Sequence, residues 1–243
     1  MVYGGVSIQG KYHGVNQDSW LCREYGENAC IMVVSDGLGS KKYSGQGSEA
    51  ICESVFEVIS TLKIDMNMVS FRDIIAMCHQ RWKKKLTDLD YDIRQCCATM
   101  LVLVVTGDRV KAARLGDGFV AVCTENGIRV LFDEKEDCFA NETDCLREEL
   151  DREKIEILDE PFETFYGAIA CTDGIEIGDM QEKVLKNFTR DFLVEYTLNT
   201  ADEIREDVSS WVGEWPGHDD KTLAFLINGN GDIPEEEPEG SSE

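Results

Sequence analysis

Basic residues are scarce in this chain. Its 243 residues hold 24 Lys and Arg against 48 Asp and Glu, a formal net charge of −24. So acidic a surface repels nucleic-acid backbones and anionic membranes alike, so neither is expected as a partner. Six of the acidic residues fall in Asn230 to Glu243, a stretch with no Lys or Arg, and −18 remains on the rest. Histidine is rarer still: His13, His79 and His218 are the only three, none of them at zinc-ligand spacing from a cysteine. No Cys-x-x-Cys pair occurs either, which argues against a zinc site. No apolar run approaches the roughly 18 residues of a membrane-spanning helix. Met1 to Gly10 lacks a basic stretch followed by an apolar one. A soluble, unexported, cytoplasmic protein is expected. A calcium loop of the form D-x-D-x-D-G is absent, and no internal repeat is found.

Cysteine is present ten times, mostly inside apolar runs and including the adjacent Cys96 and Cys97. In a chain of this size that pattern predicts reduced thiols rather than a disulfide framework. Apolar residues make up 42%, with four Trp and ten Phe, enough for a sizeable core. One domain over residues 1–229 is expected, followed by an acidic tail, 230–243, rich in Pro, Glu and Gly and expected to be disordered.

The periodicities place the elements. Tyr3 to Gln9 alternates weakly, and Ala29 to Ser35 is a continuous apolar run that reads as a buried strand. Ile51, Val55, Ile59 and Leu62 repeat at helical spacing, as do Phe71, Ile75, Cys78 and Trp82. Four short strands follow, at Thr99–Thr106, Val110–Arg114, Val120–Cys123 and Ile128–Phe132, separated by turn signals that predict an antiparallel meander. Asp133 to Phe165 is highly charged and reads as a helix-containing surface excursion. Phe165 to Thr172 is another buried strand, and a helix spans Gln181 to Thr197. A second helix starts at Thr200, where Thr200 and Glu203 form a capping box, and Lys221 to Ile227 is the last strand. This order, in which strands and helices do not alternate regularly, predicts an α+β fold. The basic run Arg81 to Lys85 reads as a solvated helix end rather than a docking site.

Asp-Gly pairs close three of the apolar runs: Asp36-Gly37, Asp117-Gly118 and Asp173-Gly174. Asp219-Asp220 opens the last run. Taken singly, an Asp-Gly is a good hairpin turn, and Asp117-Gly118 reads as one. Asp36 and Asp173 differ, because each ends a continuous apolar strand where a buried carboxylate needs a partner. Carboxylates converging on one point repel each other unless cations sit among them, and hard divalent ions suit an all-oxygen site.

Read in order, His13-Gly-Val-Asn-Gln-Asp18, Val34-Ser-Asp36-Gly-Leu-Gly-Ser40, Cys97-Ala-Thr99, Leu115-Gly-Asp117, Cys171-Thr-Asp173-Gly174 and Asp219-Asp-Lys-Thr222 resemble the motif set of the metal-dependent 2C-type Ser/Thr protein phosphatases. In particular the chain resembles the compact, stand-alone bacterial members of that family. The resemblance implies an α-β-β-α sandwich of two mainly antiparallel sheets flanked by helices, with two Mn²⁺ or Mg²⁺ ions at the sheet ends. It implies that Asp36 bridges both ions and that the Gly37 carbonyl and Asp18 serve the second, Asp18 through water. Asp173 and Asp219 would hold the first, Asp220 would fill the neighbouring position, and Asp117 with Asp173 would offer a weaker third site. The implied reaction is hydrolysis of phosphoserine and phosphothreonine in proteins by a metal-bridging hydroxide, with Asp36, Asp18 and His13 in the catalytic set. The implied partners are a phosphoprotein substrate and an opposing Ser/Thr kinase, with the enzyme a monomer.

The phosphate-handling positions depart from that pattern. His13 stands where many members carry Arg, Gln17 where Glu is common, Leu38 where some carry His, Ser40 where Gly is usual, and Gly118-Phe119 where Ser-Arg is usual. The alternative reading is therefore a weak or inactive metal-binding relative acting as a signalling scaffold.

Overall fold

The computed structural model describes residues 1–12, 14–26, 28–61, 68–133, 144–229 and 233–234. Ten strands form two five-stranded sheets. The first has the order β1 (Val2–Ile8), β10 (Lys221–Ile227), β9 (Phe165–Cys171), β6 (Phe119–Thr124), β7 (Gly127–Leu131). The second has the order β2 (Ser19–Gly26), β3 (Ala29–Ser35), β4 (Met100–Val105), β5 (Arg109–Leu115), β8 (Glu156–Pro161). Every pairing is antiparallel.

The unbroken apolar runs follow from burial on both strand faces. Ile31 and Val33 face α1 (Ser44–Thr61) and α2 (Phe71–Asp88), while Cys30, Met32 and Val34 point into the layer between the sheets. Strand β4 divides the same way, with Met100, Val102 and Val104 outward and Leu101, Leu103 and Val105 inward. On the other sheet Phe119, Ala121, Leu223 and Phe225 meet α3 (Glu182–Tyr196) and α4 (Ala201–Glu214). Their inward neighbours Val120, Val122, Ala224 and Leu226 complete the middle layer. The result is an α-β-β-α sandwich with three apolar layers. The capping box at α4 is present, with Thr200 accepting from the Glu203 N–H and Glu203 accepting from the Thr200 N–H.

Three expectations need correction. The meander is two hairpins in different sheets: β4 pairs with β5, β6 pairs with β7, and the chain crosses between sheets at Gly116-Asp117-Gly118. Asp117-Gly118 is therefore not a hairpin turn. Strand β2 was not foreseen, because its central Cys22-Arg23-Glu24 breaks the apolar alternation at a sheet edge. The charged stretch after Asp133 contributes core and strand rather than a helix among its described residues. Leu146 bridges to Ala98, Leu146 and Ile155 are buried, and Glu156–Pro161 is β8. The acidic tail falls largely outside the described residues, yet Ile233 packs against the layer beneath α3 and α4. The nine described cysteines are free and buried.

Three of the four cations in the basic run on α2 are paired within the fold, and Lys83 donates to the Glu148 carbonyl. Arg81 pairs with Glu57, Lys85 with Glu53 and Glu57, and Lys84 with Asp88, while Trp82 is fully buried. Next to it, His79 is buried and meets the Arg147 carbonyl at 2.7 Å through Nε2, a structural contact. Among the described residues no helix is long and apolar enough to cross a membrane.

Candidate metal centre

Strand β3 ends by locking its backbone to residues 97–99. The Ser35 hydroxyl donates to the Thr99 carbonyl at 2.6 Å, and the Thr99 N–H donates to the Asp36 carbonyl at 2.8 Å. In return the Asp36 N–H donates to the Thr99 hydroxyl at 2.9 Å, and the Leu38 N–H donates to the Cys97 carbonyl at 3.0 Å. With its backbone fixed on both sides, Asp36 leaves the strand with only its carboxylate free to turn. Gly37 follows because nothing larger fits: a Cβ there would lie 2.7 Å from the Gln17 carbonyl oxygen.

Asp18 enters from the other side, just before β2. It is 8% exposed, and its Oδ2 accepts the Thr172 hydroxyl at 2.9 Å. Thr172 is fixed in turn by the Thr222 N–H, which donates to its hydroxyl at 3.0 Å. The start of β2 is tied to the first sheet by a polar chain. Asp18 N–H donates to Asn16, the Asn16 amide donates to Ser7, and Ser7 shares a hydrogen bond with the Thr222 hydroxyl. The other carboxylate oxygen, Oδ1, is buried without a hydrogen-bond partner.

Burial pushes the Asp18 carboxyl up to about 7. Asp36 is also pushed well above the usual carboxylate range, first by burial, then by the charge of Asp18, with Asp219 and Asp220 adding to it. The structure thus brings together Asp18, Asp36, Asp219 and Asp220. The two adjacent aspartates differ. Asp220 is 2% exposed and accepts the Gly10 and Gln17 N–H groups, both at 2.7 Å, so it clamps the loop between β1 and β2. Asp219 is exposed and accepts the Asp220 N–H.

Asp173 and Asp117 reach the same edge through their backbones. Gly174 packs so closely that a Cβ would lie 1.8 Å from the Asp220 carbonyl oxygen. Gly118 (φ +90°) would place a Cβ 2.4 Å from the Cys171 carbonyl oxygen, which sets Asp117 beside the end of β9. Both carboxylates are partly exposed. His13 lies outside the described residues. Its neighbour Tyr12 rests against His218, ring centroids 4.4 Å apart, which brings that loop beside Asp219.

Among the described residues no three His, Cys, Asp or Glu side chains form a ready-made metal cage. The donor set nevertheless fits a hard cation. It is all oxygen, and the buried Asp18 carboxyl interacts with the half-buried carboxyl of Asp36, which its charge helps to raise. Sequence reasoning missed Thr99, Thr172 and Thr222 as the groups that orient Asp36 and Asp18. The Thr flanking each acidic motif was the available signal.

The sequence model for protein phosphatase 2C matches residues 11–215. The chain belongs to that family. Solved structures agree on its fold. The serine/threonine phosphatase Stp1 from Staphylococcus aureus has a TM-score of 0.68 at 13% identity, covering 94% of this chain and 95% of its own. A protein from the bacterial stressosome, described as a modular system adapted to control secondary messenger signalling, has a TM-score of 0.63 at 17% identity, covering 92% and 97%. The catalytic domain of the phosphatase PstP, solved with two manganese ions, has a TM-score of 0.63 at 12% identity, covering 92% and 96%. No curated protein sequence matches the chain.

Proposed function

We propose that this phosphatase 2C family member hydrolyses phosphoserine and phosphothreonine in proteins, with two Mn²⁺ or Mg²⁺ ions bound at the shared edge of the sheets. The observation that carries the reading is the close carboxyl pair of Asp18, buried, and Asp36, half-buried, each raised well above the usual carboxylate range. Asp36, the Gly37 carbonyl and Asp18 would hold one side of the site, and Asp173 and Asp219 the other, with Asp117 available to a third ion. When bound, such ions supply the positive charge that activates water and neutralises phosphoryl oxygens.

The residues around the site do the positioning. Thr99 fixes the backbone from which Asp36 projects, and the Thr172 hydroxyl holds one Asp18 oxygen while the other stays buried without a hydrogen-bond partner. Asp220 holds the Gly10 to Gln17 loop, which carries His13 and Asn16. His13, where many relatives carry Arg, would bind the substrate phosphate as an imidazolium. The natural partners are a phosphoprotein and a Ser/Thr kinase acting in opposition.

The departures at His13, Leu38 and Gly118-Phe119 favour a second reading, a metal-binding relative without turnover. One set of assays separates the two: hydrolysis of p-nitrophenyl phosphate and of a phosphothreonine peptide, with Mn²⁺ and with EDTA, in wild type and Asp36→Asn. Activity that needs Mn²⁺ and disappears in Asp36→Asn is expected. Hydrolysis in EDTA, or full activity in Asp36→Asn, contradicts the metal assignment. Mn²⁺ binding without turnover selects the second reading.

A further inference from the structure

The backbone bridge between Ala98 and Leu146 sets three reactive groups on one face. Residues on either side of a bridged pair point the same way, so Cys97, Cys145 and Arg147 project together. The Arg147 Nε–H donates to the Cys145 sulfur at 3.3 Å, the Cys97 thiol donates to the Arg94 carbonyl at 3.6 Å, and the two thiols lie close enough to shift each other's protonation. A cavity of about 330 Å³ opens onto Cys97, lined also by Leu38, Lys41, Arg94, Arg147, Glu148 and Glu149. Of the charges around it, those of Lys41 and Arg147 favour the Cys97 thiolate.

We propose that Cys97 and Cys145 form a peroxide-sensitive modification site, with Cys97 the reacting thiol and Cys145 the thiol that resolves it into a disulfide. The chemistry balances. The Cys97 thiolate attacks one oxygen of hydrogen peroxide, the O–O bond breaks, and the departing hydroxide takes up a proton to leave as water. Cys145 then attacks the sulfenic sulfur of Cys97. The S–S bond forms, the S–O bond breaks, and the hydroxide leaves as water with the proton from Cys145. Two thiols are oxidised and one peroxide is reduced to two waters.

The environment divides the roles. The contact with Cys145, aided by the charges of Lys41 and Arg147, holds the Cys97 thiol down to about 6 against the opposing effect of burial. Cys145 is raised, first by its contact with Cys97 and then by burial. Once Cys97 is oxidised and neutral, that leading cause is gone, and Arg147 remains to favour the Cys145 thiolate. The other thiol contact among the described residues, Cys22 to Cys30 at 3.7 Å, also lowers Cys30, but it lies in the apolar layer between the sheets, where burial and the charge of Glu24 work against the thiolate.

The site adjoins the metal centre without belonging to it. The Cys97 carbonyl accepts the Leu38 N–H, and Ala98 bridges to Gly37, so a cross-link would tie residues 144–146 to the strand that fixes Asp36. His79 and Lys83 on α2 already hold that segment by the Arg147 and Glu148 carbonyls, which keeps the thiols in register.

The test uses the full chain, reduced and then treated at neutral pH with limiting hydrogen peroxide. Peptide mapping should find a Cys97–Cys145 linkage that dithiothreitol reverses. In Cys145→Ser the reaction should stop at a Cys97 sulfenic acid that dimedone captures. In Cys97→Ser dimedone labelling at the described cysteines, read by peptide mapping, should fall at least about tenfold, since the others among them are buried. A circular-dichroism melt of each variant confirms that it is folded. A Cys22–Cys30 linkage in place of Cys97–Cys145, or undiminished labelling in folded Cys97→Ser, overturns the proposal.

Discussion

Removing the charge of Asp18 should stabilise the metal-free protein at neutral pH. The carboxyl is 8% exposed, one oxygen accepts from Thr172, the other has no partner, and burial lifts its pKa from 3.8 to about 7. With the folded value above the unfolded one, the folded state binds the extra proton. The associated stability is complete below about pH 4 and is lost as the pH rises toward about 7. A shift of that size corresponds to about 4 kcal/mol, or roughly 10 °C of melting temperature in a domain this large. Asn in place of Asp18 keeps an acceptor for Thr172, offers its amide to Asp36, and does not titrate. Thermal melts in EDTA should therefore nearly coincide for wild type and Asp18→Asn at about pH 4.5 and separate at about pH 8, with the variant higher. Saturating Mn²⁺ at the higher pH should raise wild type strongly and the variant little. Coincident melts at about pH 8, or a gap unchanged at about pH 4.5, would refute the argument that an uncompensated carboxylate lies buried there.

Three further outcomes are expected. Gly174→Ala should cost about 3 kcal/mol in urea unfolding, because its Cβ would sit 1.8 Å from the Asp220 carbonyl oxygen; an unmoved midpoint contradicts that close approach. Truncation before Asn230 should lower the melting temperature by a few degrees through loss of Ile233 from its apolar layer, whereas truncation after Pro234 should not, and equal melts would remove any role for Ile233. Leu38 cannot give a proton to a departing serine oxygen, so Leu38→His should raise kcat on a phosphoserine peptide by up to about 10²-fold with little change on p-nitrophenyl phosphate. Equal gains on both substrates would assign that proton elsewhere.

Much of the sandwich was legible because its central strands are buried on both faces, and Ala29–Ser35, Met100–Val105 and Lys221–Ile227 have all seven, six and seven residues buried. The edges were not legible by hydropathy. Strand β8 reads as a charged loop because its acidic residues are matched to the basic face of β5. Asp159 pairs with Lys111 and Arg109, and Glu156 pairs with Arg114. Its signal was charge complementarity between segments far apart in sequence, which no local window contains. The crossing at Asp117 failed for a related reason. An Asp-Gly with a left-handed glycine serves a hairpin or a passage between sheets equally well, and only the close fit of Gly118 against Cys171 distinguishes them.

The candidate site shows the same division at the scale of single residues. That acidic residues gather where β3, β9 and β10 begin or end could be read from the apolar runs, since strand termini on one edge of a sandwich must converge. Which of two adjacent carboxylates turns inward could not. Asp219 and Asp220 have the same side chain and neighbouring positions, yet Asp220 is the one buried under Gly10 and Gln17. Those two N–H groups belong to the loop between β1 and β2, over 200 residues earlier in the chain, and they become donors only after β1 has paired with β10. Asp220 is thereby committed to holding the loop, with both oxygens occupied. Asp219 stays at the surface, where its charge is felt by Asp36.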